Sequence, residues 1–582
     1  MFDVDKALSK LGVYNRWRMV MYVIYSISFN LSGTWHMMIV VFTGAEPEHH
    51  CKLPDNVTVN DAIPFENRNG EMERSQCKMY TNYSSETNVT ESCTDGWTYD
   101  STIGSTIVTE WNLVCDRNYF VETSQSLFVA GVLLGALVFP ALSDRVGRKP
   151  VHFGCQWAMV VVGTIIAVVP NFEAFAALKF FNGALREGSG LTGIVLCCEL
   201  WQASHRSVAG ISIQLFWSAA WFILALMAYC IRDWRHLQLA ISLPCILTIA
   251  VYWYVPESLI WLVANGRAEE ARKHFRKAAI TENNDNFEQY LHEADELNAV
   301  DEITADRALV SNHDSDSYNL HSNHLSGSRA SSNSSTVKKN LLNCFRKGSN
   351  QRKDEEGRKY TFLDVLRSKR MLINASIMCS LWFVNTLVYH GLTLLSTQLA
   401  GNIYLNFFLS GIVEIPAYIL CIICLQKLGR RWPLVVHHII TGVALLLASV
   451  IPKKTDSGTD LSVLITVLAL IAKYAITFSF AEIVLYAQEI YPTNLRNSGL
   501  GVSSLFGRIA NILAPFSTYV VKYLPWFPGV LFGALSIFVG FAALILPETL
   551  NRPLPQTIED IENWHRSPVD DSTNVENDEL SM

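Results

Sequence analysis

Predominantly apolar runs of 18 or more residues recur about twelve times along the chain, near 19–43, 123–143, 151–169, 173–198, 208–230, 237–255, 371–393, 404–425, 433–451, 461–484, 497–520 and 527–546. Each is long enough to cross ~30 Å of hydrocarbon as a helix. Lipid offers no partner to an unpaired backbone group, so helices are the expected form. The pattern therefore predicts an all-α membrane protein of twelve transmembrane helices. Two polar stretches interrupt it, one after the first span and one after the sixth.

The second half of the pattern repeats the first. Asp144-Arg145-Val146-Gly147-Arg148-Lys149 between spans two and three has a degraded copy, Gln426-Lys427-Leu428-Gly429-Arg430-Arg431, between spans eight and nine. Glu199 with Arg206 returns as Glu489 with Arg496, and Pro256-Glu257-Ser258 returns as Pro547-Glu548-Thr549. The offsets are 282, 290 and 291 residues (430 − 148, 496 − 206 and 548 − 257). Two parallel six-helix pseudo-repeats point to a carrier whose halves rock around a central site.

Composition agrees: 50% of the 582 residues are hydrophobic and 17% charged, too apolar for an ordinary soluble chain. The basic residues set an orientation. Lys6, Lys10, Arg16 and Arg18 precede the first span, and Arg145, Arg148, Lys149, Arg206, Lys427, Arg430, Arg431 and Arg496 occupy alternate connections, which predicts that both termini and that face are cytoplasmic. The net charge of −7 lies partly in the tail and says little about partners. The expected division is a cytoplasmic N-terminus (1–18), a first span (19–43), an extracellular loop (44–120), spans two to six (121–262), a polar loop that is partly unable to order itself (263–369), spans seven to twelve (370–550) and an acidic cytoplasmic tail (551–582). An amphipathic stretch, Ala268 to Ala279, opens the polar loop. The extracellular loop carries four cysteines, Cys51, Cys77, Cys93 and Cys115, enough for two disulfides in any of three connectivities, beside glycosylation sequons at Asn56, Asn82 and Asn88. The remaining cysteines lack metal-ligand spacing.

The motifs resemble the organic cation, anion and carnitine transporters of the major facilitator superfamily almost end to end. The resemblance rests on Pro47-Glu48-His49-His50-Cys51, on Thr109-Glu110-Trp111-Asn112-Leu113-Val114-Cys115, on Ile231-Arg232-Asp233-Trp234-Arg235, on Val413-Glu414-Ile415-Pro416, and on Glu489-Ile490-Tyr491-Pro492-Thr493-Asn494-Leu495-Arg496. Gln426 and the four loop cysteines are closest to the carnitine branch. Leu259 and Ile260 stand where the family usually has Pro-Arg. The resemblance implies a plasma-membrane transporter that works by alternating access and is not an enzyme. The repeated charges Asp144, Arg148, Glu199 and Arg206, with Arg430, Glu489 and Arg496 in the second half, are expected to form cytoplasmic ion-pair latches.

Ionised side chains inside a span cost at least ~2.5 kcal/mol each and are functional candidates. Arg186 and Glu187 fall in span four, Glu414 in span eight, Lys473 and Glu482 in span ten, and Arg508 in span eleven. As neighbours 100° apart on a helix, Arg186 and Glu187 are expected to find other partners. The family resemblance gives Arg508 a substrate carboxylate, which a guanidinium binds through two parallel hydrogen bonds, and Glu414 the opposite charge. Trp217, Trp382 and Tyr389 supply rings for a quaternary ammonium. Lys473 and Arg186 complete the expected substrate site. The preferred cargo is a carnitine-like zwitterion, then an organic anion, then a simple organic cation. A non-transporting receptor or scaffold of the same fold is the alternative class, to which the terminal Leu580-Ser581-Met582, resembling a weak ligand of scaffold domains, would contribute. Small organic ions and the bilayer are the expected partners, with no nucleic acid and no metal. Gly188-Ser189-Gly190-Leu191-Thr192-Gly193 fits a dinucleotide fingerprint by letter, but no strand precedes it, and close helix packing or room for substrate is its expected role. No cofactor is expected, and Na⁺ or H⁺ coupling is left open.

Overall fold

A computed structural model describes residues 4–561 apart from 56, 69–70, 82–88, 283–286, 288–367, 397–400, 456–458, 494, 553 and 559. The sequons at Asn56, Asn82 and Asn88, the Ser-rich loop segment and the terminal tripeptide lie outside the described residues. The long helices are α1 Arg16–Met38, α2 Tyr119–Val146, α3 Arg148–Val168, α4 Phe172–Glu199, α5 Arg206–Cys230 and α6 Trp234–Tyr254 in the first half. The second half has α7 Lys369–Leu395, α8 Ile403–Lys427, α9 Arg431–Val450, α10 Ser462–Ile490, α11 Arg496–Leu513 and α12 Phe527–Ala543. Among the described residues, eight helices are long and apolar enough to cross a membrane by length and composition, namely α2, α3 and α5 to α10. The other four occupy the positions predicted for spans one, four, eleven and twelve.

The spans break where the local chemistry requires it. Leu243–Leu247, with Pro244, tightens α6 into a 3₁₀ turn, and α8 is interrupted between Ile412 and Glu414. Pro515 lacks the N–H that would continue α11, which resumes as Phe516–Tyr523. The two halves share one packing plan: α1 on α5, α2 on α4 and α3 on α6 recur as α7 on α11, α8 on α10 and α9 on α12. The halves meet through α5 against α8 and α2 against α11. Small residues allow the closest approach. A Cβ on Gly131 would stand 1.8 Å from the Phe180 carbonyl oxygen, and one on Gly193 would stand 2.7 Å from the Phe29 ring. Within the glycine run of α4, Gly188 and Gly193 thus serve packing, whereas Gly190 leaves room beside the Arg186 guanidinium, 3.8 Å away.

Between α1 and α2 the chain builds a cap of three two-stranded ribbons, pairing His49–Cys51 with Trp97–Tyr99, Phe65–Arg68 with Glu71–Arg74, and Lys78–Tyr80 with Thr90–Ser92. Disulfides Cys51–Cys93 and Cys77–Cys115 select one of the three connectivities. Glu110 anchors the cap to α6, accepting from Trp234 Nε1 at 2.7 Å and from Arg235. Trp111 packs against Phe175 and Trp234. Two of the blocks that carried the family resemblance therefore touch. On the opposite face, the predicted amphipathic stretch forms helix Ala268–Thr281, which buries Ala271, Phe275, Ala278 and Ala279 beside Leu259–Ala264 and α1. These two faces are the cap side and the latch side.

Candidate transport site and latches

At the rise of 1.5 Å per helical residue, Arg508 on α11 and Arg186 on α4 both stand roughly 20 Å from the latch-side ends of their helices. Both bond the same carboxylate. Arg186 Nη1 lies 2.6 Å from Glu187 Oε2, and Arg508 Nη2 lies 2.8 Å from Glu187 Oε1, so the second contact joins the two halves. The expectation that Arg186 and Glu187 would not face each other is corrected: the long guanidinium arm curls back along α4 to reach its neighbour. Arg186 and Arg508 each keep about a fifth of their side-chain surface exposed (18% and 20%), whereas Glu187 is nearly closed (6%).

A second cluster starts from α8. Glu414 is fully buried at the break in that helix and lies 3.1 Å from Lys473 Nζ of α10. It also accepts from Tyr389 Oη at 2.6 Å and from Ser218 Oγ at 3.4 Å. Lys473 donates to Thr393 Oγ1 at 2.7 Å and sits 3.3 Å from the centre of the Tyr389 ring. Trp217 of α5 donates to Tyr389 Oη at 3.0 Å, and the Arg186 guanidinium lies 5.8 Å from the Trp217 ring centre. The expected substrate residues Arg186, Trp217, Tyr389, Glu414, Lys473 and Arg508 thus form one chain of contacts across both halves. Trp382 stands apart from it, packed edge-on to Phe480 and over Gly507. Glu187 is the member that sequence reasoning left without a role in the site.

The latches are built alike in each half. Arg148 Nη2 is 3.1 Å from Asp144, and its Nε is 3.7 Å from Glu199, whose other partner is the Ser258 hydroxyl. In the copy, Arg430 Nη2 is 2.9 Å from Glu489, which accepts from Thr549 Oγ1 at 2.5 Å. Gly147 and Gly429 make the turns at φ +117° and +88°, where an L side chain is strained, and a Cβ on either would stand 2.6 Å from Glu257 or Glu548 respectively. Those acids cap the next helix: Lys149 N donates to Glu257 Oε1 at 3.0 Å, and Arg430 N and Arg431 N donate to Glu548 at 2.9 and 3.0 Å. Burial pushes the Glu257 carboxyl above its ordinary value despite the N–H groups of Ser258 and Lys149. At Glu548 burial also pushes up, but the backbone N–H groups of Arg430, Leu550, Arg431 and Thr549 outweigh it and hold the carboxyl below. The Pro-Glu-Ser and Pro-Glu-Thr repeats are therefore parts of the latches.

Two expected latch residues are elsewhere. Arg206 bonds Asp5 at 2.9 Å and the Trp201 carbonyl, and Arg496 donates to Thr493 at 3.3 Å. The reason is that a serine or threonine hydroxyl fills the second position at each latch acid. Arg430→Ala removes a short, partly buried charged hydrogen bond worth about 1.5–3 kcal/mol, so uptake per surface molecule should fall about tenfold. Arg148→Ala should cost less, because its bond to Glu199 is longer and its Asp144 partner is exposed. Equal losses in a side-by-side uptake assay would sink that ranking.

The latch-side pairs Arg148–Asp144, Arg148–Glu199 and Arg430–Glu489 each stay within one half. On the cap side the halves are joined directly. Lys522 Nζ lies 2.5 Å from Glu46, Thr518 Oγ1 donates to Glu122 at 3.1 Å, and Ser126 Oγ donates to the Ile512 carbonyl at 2.8 Å. Phe407 packs on Phe42 and stacks on Trp221 at 4.5 Å.

Two six-helix halves closed at one face, with a charged midplane between them, define a membrane carrier. Residues 120–515 match the Major Facilitator Superfamily. The chain belongs to that superfamily and, within it, to the family of organic cation and anion transporters. It is 32% identical to the "Organic cation transporter protein" of Drosophila melanogaster over 98% of this chain and 96% of that one. It is 32% identical to "Organic anion transporter 3" of Oryctolagus cuniculus (91% and 88% covered) and to "Solute carrier family 22 member 21" of Mus musculus (97% and 94%). The inward open xylose transporter XylE of E. coli shares the fold, with a TM-score of 0.55 at 13% identity over 93% of this chain and 99% of XylE. These relatives are transporters, not enzymes.

Proposed function

We propose that this protein carries carboxylate-bearing organic ions across the plasma membrane by alternating access, with both termini in the cytoplasm and the cap outside. The observation that carries the cargo class is the shared carboxylate of Glu187: two partly exposed guanidiniums bind one buried acid, leaving one cationic charge in excess at the midplane. A guanidinium offers a carboxylate two parallel donors. Glu414, by contrast, is closed off and held by Lys473 and Tyr389. The rings once expected to receive a quaternary ammonium already lie next to protein cations, Trp217 beside Arg186 and Tyr389 beside Lys473. Organic anions therefore lead, a carnitine-like zwitterion follows because it carries the same carboxylate, and a simple organic cation comes last.

In the conformation described here the halves are bound on the cap side, which corresponds to a carrier facing the cytoplasm. Opening outward requires Lys522–Glu46 and the Phe407 contacts to separate, and cargo can shift that balance only by binding the two states unequally. The test is competition uptake into cells with labelled para-aminohippurate, carnitine and tetraethylammonium. The first two should enter above mock-transfected controls and inhibit each other. Entry of tetraethylammonium alone would overturn the reading, and entry of none of the three would favour a non-transporting receptor.

A further inference from the structure

Glu482, in the latch-side third of α10, is fully buried, and neither of its carboxylate oxygens has a hydrogen-bond partner among the described residues. It lies two helical turns before the latch acid Glu489, on the same face of α10. Its position in the first repeat is Thr192 (482 − 290), whose hydroxyl bonds the Gly188 carbonyl within its own helix. The latch architecture therefore works without an acid here, and the acid needs its own account.

An ionised carboxylate deprived of water and donors is strongly disfavoured. Its charged and titratable neighbours provide no donor. From α8 it interacts with Cys421 and Cys424, from α10 with Tyr486 and Glu489, and from beyond α12 with Glu548. Among the described residues, the cation acting on it is Arg430, which is turned to Glu489 and to the Leu425 carbonyl, with its Nε buried and without a hydrogen-bond partner. From α9, His437 stacks on Phe478, one turn away on α10, and its Nδ1–H donates to the Pro433 carbonyl at 2.8 Å rather than to Glu482. On α7, Lys369 and Arg370 stand in the first turn, and Cys379, Tyr389 and His390 interact with Ser503, Glu414 and Lys473. Only a neutral carboxyl suits this pocket.

Resting on the carrier reading above, we propose that Glu482 is a proton-binding site of the transport cycle, occupied while the second-half latch is closed. When the latch opens, Arg430 leaves Glu489 and water reaches α10. The Glu482 O–H bond then breaks, its proton passes to water, and the carboxylate left behind is compensated by the freed guanidinium. Closing the latch requires a proton to return from the same latch-side water. The proton is therefore bound and released once per cycle without crossing the membrane, and the pH on the latch side sets how readily the latch recloses.

Two measurements on the purified full-length protein test this. The first needs no cargo: infrared spectra at neutral pH, with ¹³C-glutamate to assign the band, should show a carboxylic-acid C=O stretch that disappears in Glu482→Gln and persists in Lys10→Gln. Its absence from the wild type overturns the proposal whatever the cargo. The second is para-aminohippurate counterflow in proteoliposomes. Exchange above empty vesicles at neutral pH tests the carrier reading alone. Raising the pH on both sides by one unit should then slow wild-type exchange by up to about tenfold where reclosing waits on one proton, whereas Glu482→Gln should exchange at the same rate at either pH. Wild-type exchange that does not respond to pH, or a response of equal size in Glu482→Gln, overturns the proposal and leaves the carrier reading standing.

Discussion

Replacing Arg508 by Asp should abolish carboxylate uptake, with a loss of at least about a hundredfold when normalised to surface protein. Removing one partner of a buried ion pair costs about 3–5 kcal/mol. Arg508 is one-fifth exposed, so the lower end applies, and about 3 kcal/mol is roughly a hundredfold. Reversal also sets a second acid against Glu187, 2.8 Å from the present guanidinium nitrogen. Arg508→Lys should fall between, because an ammonium keeps the charge but not the planar fork. Bridge and binding roles separate in the exchange variant Glu187→Arg with Arg508→Glu. It restores the contact between α4 and α11, and therefore surface abundance, but moves the exposed donors to the other helix. Full recovery of para-aminohippurate uptake in that variant would show that Arg508 only ties the halves together.

That ambiguity explains what the chain alone could and could not disclose. The spans were legible because lipid imposes a length and a composition on every crossing segment. Their breaks at Pro244 and Pro515 follow from a missing N–H. The repeats located the latches, since Gly147 and Gly429 recur at turns where an L side chain is strained and crowded. Partner choice was harder. Arg206 was assigned to Glu199 on sequence order, yet Ser258 holds that acid and Arg206 reaches Asp5, some two hundred positions away in the chain. The conformation of a side chain as long as arginine is set by what surrounds it, which is why Arg186 folds back onto Glu187. The site residues were recognised individually by the cost of placing charge in a bilayer. Their connection through Trp217, Tyr389 and Glu414 depends on how α5, α7 and α8 pack, and helical spacing within one span carries no information about that.

Replacing Lys473 by Met should be the most damaging single change to stability. Lys473 and Glu414 are 2% and 0% exposed, so removing the ammonium leaves a buried carboxylate held by neutral hydroxyls, among them those of Tyr389 and Ser218, at a cost of about 3–5 kcal/mol. Heat inactivation of a large membrane protein is read as a rate, so the expected result is a much shorter half-life in detergent, followed by size-exclusion chromatography, together with poor surface expression. Adding Glu414→Gln should recover most of the half-life, because replacing both members of a buried pair by neutral groups of similar volume is often close to neutral. Transport should not recover in parallel. Glu414 fixes the Tyr389 hydroxyl, Tyr389 accepts from Trp217 of the other half, and the Trp217 ring lies beside Arg186. With the charges gone, the link by which α8 and α10 sense the midplane guanidiniums is weakened while the fold persists. A Lys473→Met protein as long-lived as the wild type would refute a structural role for the pair, and a double variant with full uptake would refute its role in coupling the halves.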